Sequence, residues 1–319
     1  MTVAERTIAG VAVSVIVAGA GFLALHGRAG GLSAAVGTAA PAQAAVAQVS
    51  KPAARQPAAR RAPVPPGGAV AAQHADPLTG AVAGYVAGRH GTVLAAVYDV
   101  KTGQTWQLGG GTAQDEASVV KLDVLETLLS QRNGGLPDAA DQALARSMIE
   151  DSDNNAATSL WDEAGGAPGI GSYNGQAGLT RTTPSPCVTC AGFPWPGWGL
   201  TTTMPADQLT LLKQLVVPGD HPLLTAAQRS YALSLMENVT ADQAWGVSGG
   251  VPSGVTVALK NGWLPLDNAD TDWQVNSVGW VSGQGRDYLA AVFTTGDAGE
   301  QYGIDTINGL SSLIWSAMR

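Results

Sequence analysis

Apolar residues at Val119, Leu122, Leu125, Leu128 and Leu129 recur at three- and four-residue intervals. They predict a helix over 117–131, ended by Asn133-Gly134-Gly135. Weaker patterns of the same period predict helices over 77–91, 138–149, 155–164, 207–216, 225–238 and 303–318, with Thr225 as an N-cap. Alternation and β-branched residues predict strands over 92–100, 104–108 and 255–259, and a hairpin of 273–282 with 286–295 across Gly283-Gln284-Gly285. Strands lie at both ends of this region and helices between them. The pattern predicts an α/β fold whose sheet is assembled from N- and C-terminal pieces. Between them, residues 182–200 read as a long loop carrying Phe193-Pro194-Trp195-Pro196-Gly197-Trp198. Its aromatics can line the rim of a site and contact a sugar or peptide, or cover a small cluster of the loop's own; both readings are open.

The pattern changes character toward the N-terminus. Residues 8–25 form an uncharged apolar run, with Arg6 before it and His26 and Arg28 after it. Such a run reads as a signal peptide or a membrane anchor, placed at 1–28. Basic residues on both sides leave its orientation undecided, and Ala42-Gln43-Ala44 is a cleavage-like sequence some way downstream. Residues 29–75 are rich in Ala, Pro, Gly and Gln without periodicity and read as a disordered linker. The third segment, 76–319, is then the globular domain.

Charge follows the same division. Residues 1–75 carry six basic residues and one acidic residue, whereas 76–319 carry 11 basic and 24 acidic. A domain with a net charge of −13 lacks the cationic surface that phosphate backbones demand, which excludes nucleic acid as the expected partner. The two cysteines, Cys187 and Cys190, are three apart in the Pro-rich loop. Zinc would need two further ligands, and the four histidines are unpaired and distant in sequence. A redox motif would need a strand-to-helix context. A small loop disulfide in an exported protein is the preferred reading, with two free thiols the alternative.

Candidate chemistry lies in three short stretches. Ser118-Val119-Val120-Lys121 opens the strongest helix, Ser152-Asp153-Asn154 follows the second, and Lys260-Asn261-Gly262 follows the strand at 255–259. A serine hydroxyl needs a neighbouring base, and a lysine three residues later shares its helix face. The chain has only five lysines, and two of them fall in these stretches. Without the other two stretches, Ser118 reads better as a plain helix cap. Lys101-Thr102-Gly103 precedes the serine and reads as a hairpin turn. Gly246-Val247-Ser248-Gly249-Gly250 has the form of a nucleophile elbow, but no histidine follows it. Asn238-Val239-Thr240 reads as a helix end rather than a glycosylation site.

These stretches, in this order, resemble the penicillin-recognising serine enzymes, and class A β-lactamases in particular. Met148 to Ala157, Thr201-Thr202-Thr203-Met204-Pro205-Ala206 and Leu289 to Gly296 extend the resemblance, which covers about residues 78–319. It implies an antiparallel sheet flanked by helices, with an inserted all-helical subdomain and the site between them. The 34-residue step from Ser118 to Ser152 is shorter than usual there, so small helices are expected to be missing. As the resemblance implies, Ser118 is the nucleophile and Lys121 its base, Lys260 lowers the Lys121 pKa, and Ser152 relays the proton. Asn154 holds the substrate amide, and Asp153 braces its loop. Ser118 and Trp263 N–H groups form the oxyanion hole, beside Gly262, and Lys260 with Asn261 meets a substrate carboxylate. No metal or cofactor is implied.

One departure bears on turnover. Class A β-lactamases carry a glutamate in the loop before the Thr-Thr-x-x-Met-Pro segment, whereas this chain has no Asp or Glu from Arg181 to Thr201. Glu163 and Asp207 flank the gap and read as helix-surface and helix-cap residues. The expected function is an exported serine hydrolase that acylates on a β-lactam or related amide and releases it slowly. A peptidoglycan D,D-peptidase and an inactive wall-binding module are the alternatives. Localisation is expected outside the cytoplasm, with residues 8–25 a possible membrane anchor; the oligomeric state is not legible.

Overall fold

The computed structural model describes residues 74–190, 195–267 and 271–319, all within one compact unit, Pro65–Arg319. The apolar run at 8–25 and nearly all of the linker lie outside the described residues. Among the described residues no helix is long and apolar enough to cross a membrane.

The chain folds as α1 (Ala81–Ala87), β1 (Thr92–Asp99), β2 (Thr105–Leu108), β3 (Gln114–Asp115), a 3-10 turn at Ala117–Val119, α2 (Val120–Ser130), α3 (Ala139–Glu150), α4 (Asn154–Glu163) and α5 (Gly166–Ala177). A second 3-10 turn (Gly197–Leu200) then leads to β4 (Thr202–Thr203), α6 (Pro205–Val216), α7 (Ala226–Glu237), β5 (Thr256–Pro265), β6 (Trp273–Gly283), β7 (Arg286–Asp297) and α8 (Glu300–Ala317). Five strands form one antiparallel sheet in the order β2-β1-β7-β6-β5. The N-terminal hairpin therefore docks on the last strand, as strands at both ends of the chain require.

Both faces of the sheet are covered, because its strands are apolar on both sides. Val93, Ala95, Val97, Ala290, Val292 and Val281 pack with Ile307, Leu310, Ile314 and Trp315 of α8 and Val82 of α1. Leu94, Ala96, Leu289, Ala291, Phe293 and Val278 face the other way and join the helical layer of α2 to α7. Each fully buried aliphatic side chain contributes roughly 1.5–3 kcal/mol.

At the centre of that layer, α2 is buried all round, from Val120 to Leu129. A single apolar stripe does not account for this, since Lys121, Asp123 and Glu126 are buried with the rest. Helix α5 covers one side of α2. Its Gly-rich sequence, Gly166-Ala167-Pro168-Gly169-Ile170-Gly171, has no propensity signal, and tertiary packing of Ile170, Tyr173 and Ala177 holds it. Gly169 is required there, since a Cβ would lie 1.9 Å from the Ala164 carbonyl oxygen.

Other boundaries shift for local reasons. The first helix is only Ala81–Ala87, because Gly80 and Gly88 flank it. Strand β5 runs on past Leu259 to Pro265, paired along its whole length with β6. Thr225 caps α7 in a reciprocal box with Gln228.

Candidate active site

The serine turn, the loop before α4 and strand β5 converge at one place. Ser118 lies in the 3-10 turn between β3 and α2, and neither helix uses its side chain as a cap. The plain capping reading therefore fails. Ala117 before it sits at φ 51° and Ser152 at φ 58°. Both are left-handed backbone at non-glycine residues, a strained geometry that persists only where surrounding structure imposes it.

Strand β5 presses directly on the serine turn. A Cβ at Gly262 would lie 2.6 Å from Ser118 N, 2.7 Å from Val119 N and 2.8 Å from Glu116 O. The contacts are all backbone, so only glycine permits the approach. Asn276 of β6 ties the same turn down, donating from Nδ2 to the carbonyls of Asp115 (2.8 Å) and Glu116 (3.0 Å).

Lys121 Nζ donates to Ser152 O (2.5 Å), Ser152 Oγ (3.0 Å) and Asn154 Oδ1 (2.7 Å). From the opposite side, Lys260 Nζ reaches the same Ser152 Oγ at 3.0 Å and also donates to Asn261 O at 2.8 Å. Two buried amines thus share one hydroxyl. Burial, followed by the neighbouring Lys260 charge, lowers the Lys121 pKa to about 6, against a weaker opposing effect of Asp153. Burial lowers Lys260 to about 7. In the free base that this shift favours at neutral pH, the two N–H groups go to Ser152 O and Asn154 Oδ1, the Ser152 contact at 3.0 Å has the hydroxyl donating to the amine, and the lone pair can accept a hydroxyl proton. Ser118, Ser152 and Asn154 are partly exposed, so the cluster opens to solvent at the hydroxyls and is sealed at the amines.

Asp153 is the N-cap of α4, accepting from Ala156 N at 2.6 Å. Trp263 is partly exposed on β5 and stacks at a tilt on Trp245, with centroids 5.8 Å apart. Asn261 departs from expectation. Consecutive strand residues point to opposite faces, so its side chain turns away from Lys260 and is 1% exposed. Its Nδ2 is consumed by the carbonyls of Gln243 (2.8 Å) and Trp245 (3.0 Å). It is a buried brace and offers nothing to a substrate carboxylate.

The loop at 182–200 supplies a residue that spacing did not single out. Trp198 is buried and its ring faces Lys121, with Nζ 5.1 Å from the ring centroid. Cys187 and Cys190 form a disulfide at the base of this turn. Asp207 anchors the start of the loop, accepting from Arg181 N (2.6 Å) and Thr182 Oγ1 (2.9 Å), so it is a buried tether rather than a cap. Glu163 is on the surface, paired with Arg132.

Three other carboxyls are buried near the serine helix. Glu116 accepts from Gln208 Nε2 at 3.3 Å, Asp123 from Asn174 Nδ2 at 2.9 Å, and Glu126 from the Tyr173 hydroxyl at 2.7 Å. Burial pushes the pKa of each upward, that of Asp123 to about 7. Among the described residues, no group of His, Cys, Asp and Glu is arranged to hold a metal.

Comparison with known proteins accords with this geometry. Residues 139–318, more than half of the chain, match the beta-lactamase enzyme family, and the chain belongs to that family. A beta-lactamase from Chitinophaga pinensis superposes with a TM-score of 0.64 at 20% identity, over 74% of this chain and 97% of its own. A class A beta-lactamase from Mycobacterium abscessus gives 0.58 at 20% identity, over 74% and 96%. A point mutant of PBP-A, in an acyl-enzyme complex with penicillin G, gives 0.58 at 20% identity, over 73% and 92%. The fold is that of class A β-lactamases. No curated protein matches the chain.

Proposed function

We propose that this chain is an extracytoplasmic serine hydrolase that forms an acyl-enzyme through Ser118 on a β-lactam or a related peptide amide. The observation that carries the reading is the Ser152 hydroxyl held 3.0 Å from each of two buried amines, one of them a single helical turn from Ser118. In this reading Ser118 Oγ attacks the amide carbonyl while the free-base Lys121 takes its proton. The oxyanion is held by the backbone N–H groups of Ser118 and Trp263, a type of contact commonly worth about 3 kcal/mol per donor. The C–N bond then breaks, and Ser152 passes a proton from the lysine pair to the departing nitrogen. Asn154, held by Lys121, holds the substrate's amide side chain. Lys260 maintains the field that keeps Lys121 deprotonated.

Release of the ester needs a base to activate water. The loop from Arg181 to Thr201 contains no carboxylate, and the group it presents to Lys121 is the Trp198 ring. Acylation is therefore fast relative to hydrolysis. A D,D-peptidase-type enzyme with the same nucleophile, releasing an amine from a peptidoglycan peptide on acylation, is the second reading.

The test is the intact mass of the full chain after benzylpenicillin, followed over hours. A stable adduct equal to the whole antibiotic, absent in Ser118→Ala, supports the proposal. Rapid return to the unmodified mass with consumption of a chromogenic cephalosporin supports acylation but rejects slow release. A folded protein with neither adduct nor turnover overturns the enzyme and leaves a wall-binding module.

A further inference from the structure

The mechanism above leaves the Trp198 turn without a role, although it closes a ring of contacts around the proposed base. Trp198 Nε1 donates to Thr158 Oγ1 of α4 at 3.2 Å, and Thr158 Oγ1 in turn donates to Asn154 O at 2.9 Å. Asn154 Oδ1 accepts from Lys121, and the Trp198 ring stands against the same amine. The turn itself is seated on the disulfide. Gly197 N donates to Cys187 O at 2.8 Å, and a Cβ on Gly197 would lie 2.5 Å from Cys190 Sγ and 3.1 Å from Cys187 Cβ. Trp195 packs beside Trp198 with centroids 6.4 Å apart.

We propose that Trp198, seated by the Cys187–Cys190 clip, is the positioning residue that closes the solvent side of Lys121 and so governs when its amine can take the Ser118 proton. The role of Lys121 rests on the proposed function; the contact of Trp198 with Lys121 does not. Two effects of the ring oppose each other. A cation over an indole ring is attracted to its face, which favours the protonated amine. Exclusion of water disfavours a buried ammonium, which favours the free base, and burial is the largest influence on Lys121. Exclusion is the larger, so the net effect of Trp198 is to keep Lys121 deprotonated. The charged groups that face Lys121 from elsewhere are Lys260 on β5, which acts in the same direction, and Asp153 before α4, which opposes it. The Trp198 turn contributes no charge.

The experiment has two arms on the full chain. In the first, the acylation rate with a fluorescent penicillin is measured from pH 5 to 9 for wild type, Trp198→Ala and Trp198→Phe. The acid limb is expected to move up by about one pH unit in Trp198→Ala, from a midpoint of about 6, a loss of about fivefold at pH 6, while Trp198→Phe stays near wild type. In the second arm, lysines labelled at Cε are titrated by NMR. The chain has only five lysines, so Lys121→Met assigns the signal. The Lys121 midpoint is expected to rise in Trp198→Ala. It is expected to rise less in a Cys187→Ser/Cys190→Ser double variant, which keeps the indole and covers the case where Trp198→Ala fails to fold. An unchanged Lys121 midpoint in folded Trp198→Ala, or, if that variant does not fold, in the folded double-serine variant, overturns the inference. Absence of acylation in wild type overturns the proposed function alone, because the NMR arm still reads the contact.

Discussion

Two polar clusters are buried around the same helix, and they differ in what surrounds them. On one side of α2, Lys121 meets Ser152, Asn154 and Lys260. On another, Asp123 and Glu126 meet Asn174 and Tyr173 of α5. Both are removed from water, and in both the charged form is disfavoured: the lysine pKa values fall and the carboxyl values rise. The lysine cluster borders partly exposed Ser118, Ser152 and Asn154, whereas α5 seals the carboxyl cluster. Burial therefore produces a shifted pKa in either setting, and only an opening to substrate makes the shift useful. Perturbed titration marks a functional site only in combination with access.

The sharpest way to break this comparison is Lys121→Met. Acylation by penicillin should fall by roughly 10²–10⁴-fold, the range for loss of a positioned general base. Stability should move the other way. The folded pKa of Lys121 lies below its ordinary value of 10.5, so the unfolded chain binds the extra proton between pH 6 and 10.5. Wild-type stability accordingly rises with pH across that window. The variant should lack the Lys121 share of that rise, keep the share that Lys260 supplies above about pH 7, and be more stable near pH 7, by roughly 1–3 kcal/mol. Urea denaturation of both proteins at pH 6, 8 and 10 checks the sign; a variant less stable at pH 6 would mean the amine is not strained by burial.

How far the sequence reaches explains why one cluster is legible and the other is not. Ser118, Lys121, Ser152 and Lys260 can be read because the chemistry proposed for them restricts residue type and chain order. Asp123 and Glu126 cannot, since on a helix with one evident apolar stripe they read as ordinary solvent-facing acids. Their burial depends on α5, and the glycines of α5 conceal it from any propensity argument. The short strands β3 and β4 escape for a similar reason, being two residues each and held by pairing with one another and by the bridge of Thr202 to Thr183. Trp198 is evident as an aromatic but not as a neighbour of Lys121. That contact is made across 77 positions of chain, through a turn seated on a disulfide. Asn261 is separable from the crevice in principle, because strand alternation already sets it on the opposite face from Lys260.

A smaller effect sharpens the comparison from the carboxyl side. Asp123→Asn keeps an acceptor for Asn174 and removes the titrating group. The folded pKa of Asp123 is raised from 3.8 to about 7, so the folded chain holds a proton that the unfolded chain has released between those values. Wild-type stability should therefore fall as pH rises from about 4 to about 7, opposite in sign to the lysine contribution. The variant should lose less stability over that interval, by one to a few kcal/mol. Its acylation rate should remain within about threefold of wild type. A tenfold loss of acylation would show that the two clusters communicate along α2 and would erase the distinction between them.

The smallest expected effect on chemistry belongs to Asn261, which motif order assigns to the open cluster and geometry assigns to the sealed kind. Its amide donates to the Gln243 and Trp245 carbonyls, both in the segment before β5, and its Oδ1 lies where a Cβ on Gly246 would be 3.0 Å away. Asn261→Ala leaves the Trp245 carbonyl without its donor and the Gln243 carbonyl with only the Trp245 N–H, a loss of roughly 1–3 kcal/mol in urea denaturation. Penicillin acylation should change by less than about threefold, in both apparent affinity and maximal rate, once measured well below the unfolding midpoint. The contrary outcome, a rise in the concentration for half-maximal acylation with little loss of stability, would place the Asn261 side chain in the crevice during turnover. That would require β5 to rotate its 260–263 segment. Gly262 opposes such a rotation, because it is packed against the backbone of the serine turn at a distance no side chain could occupy.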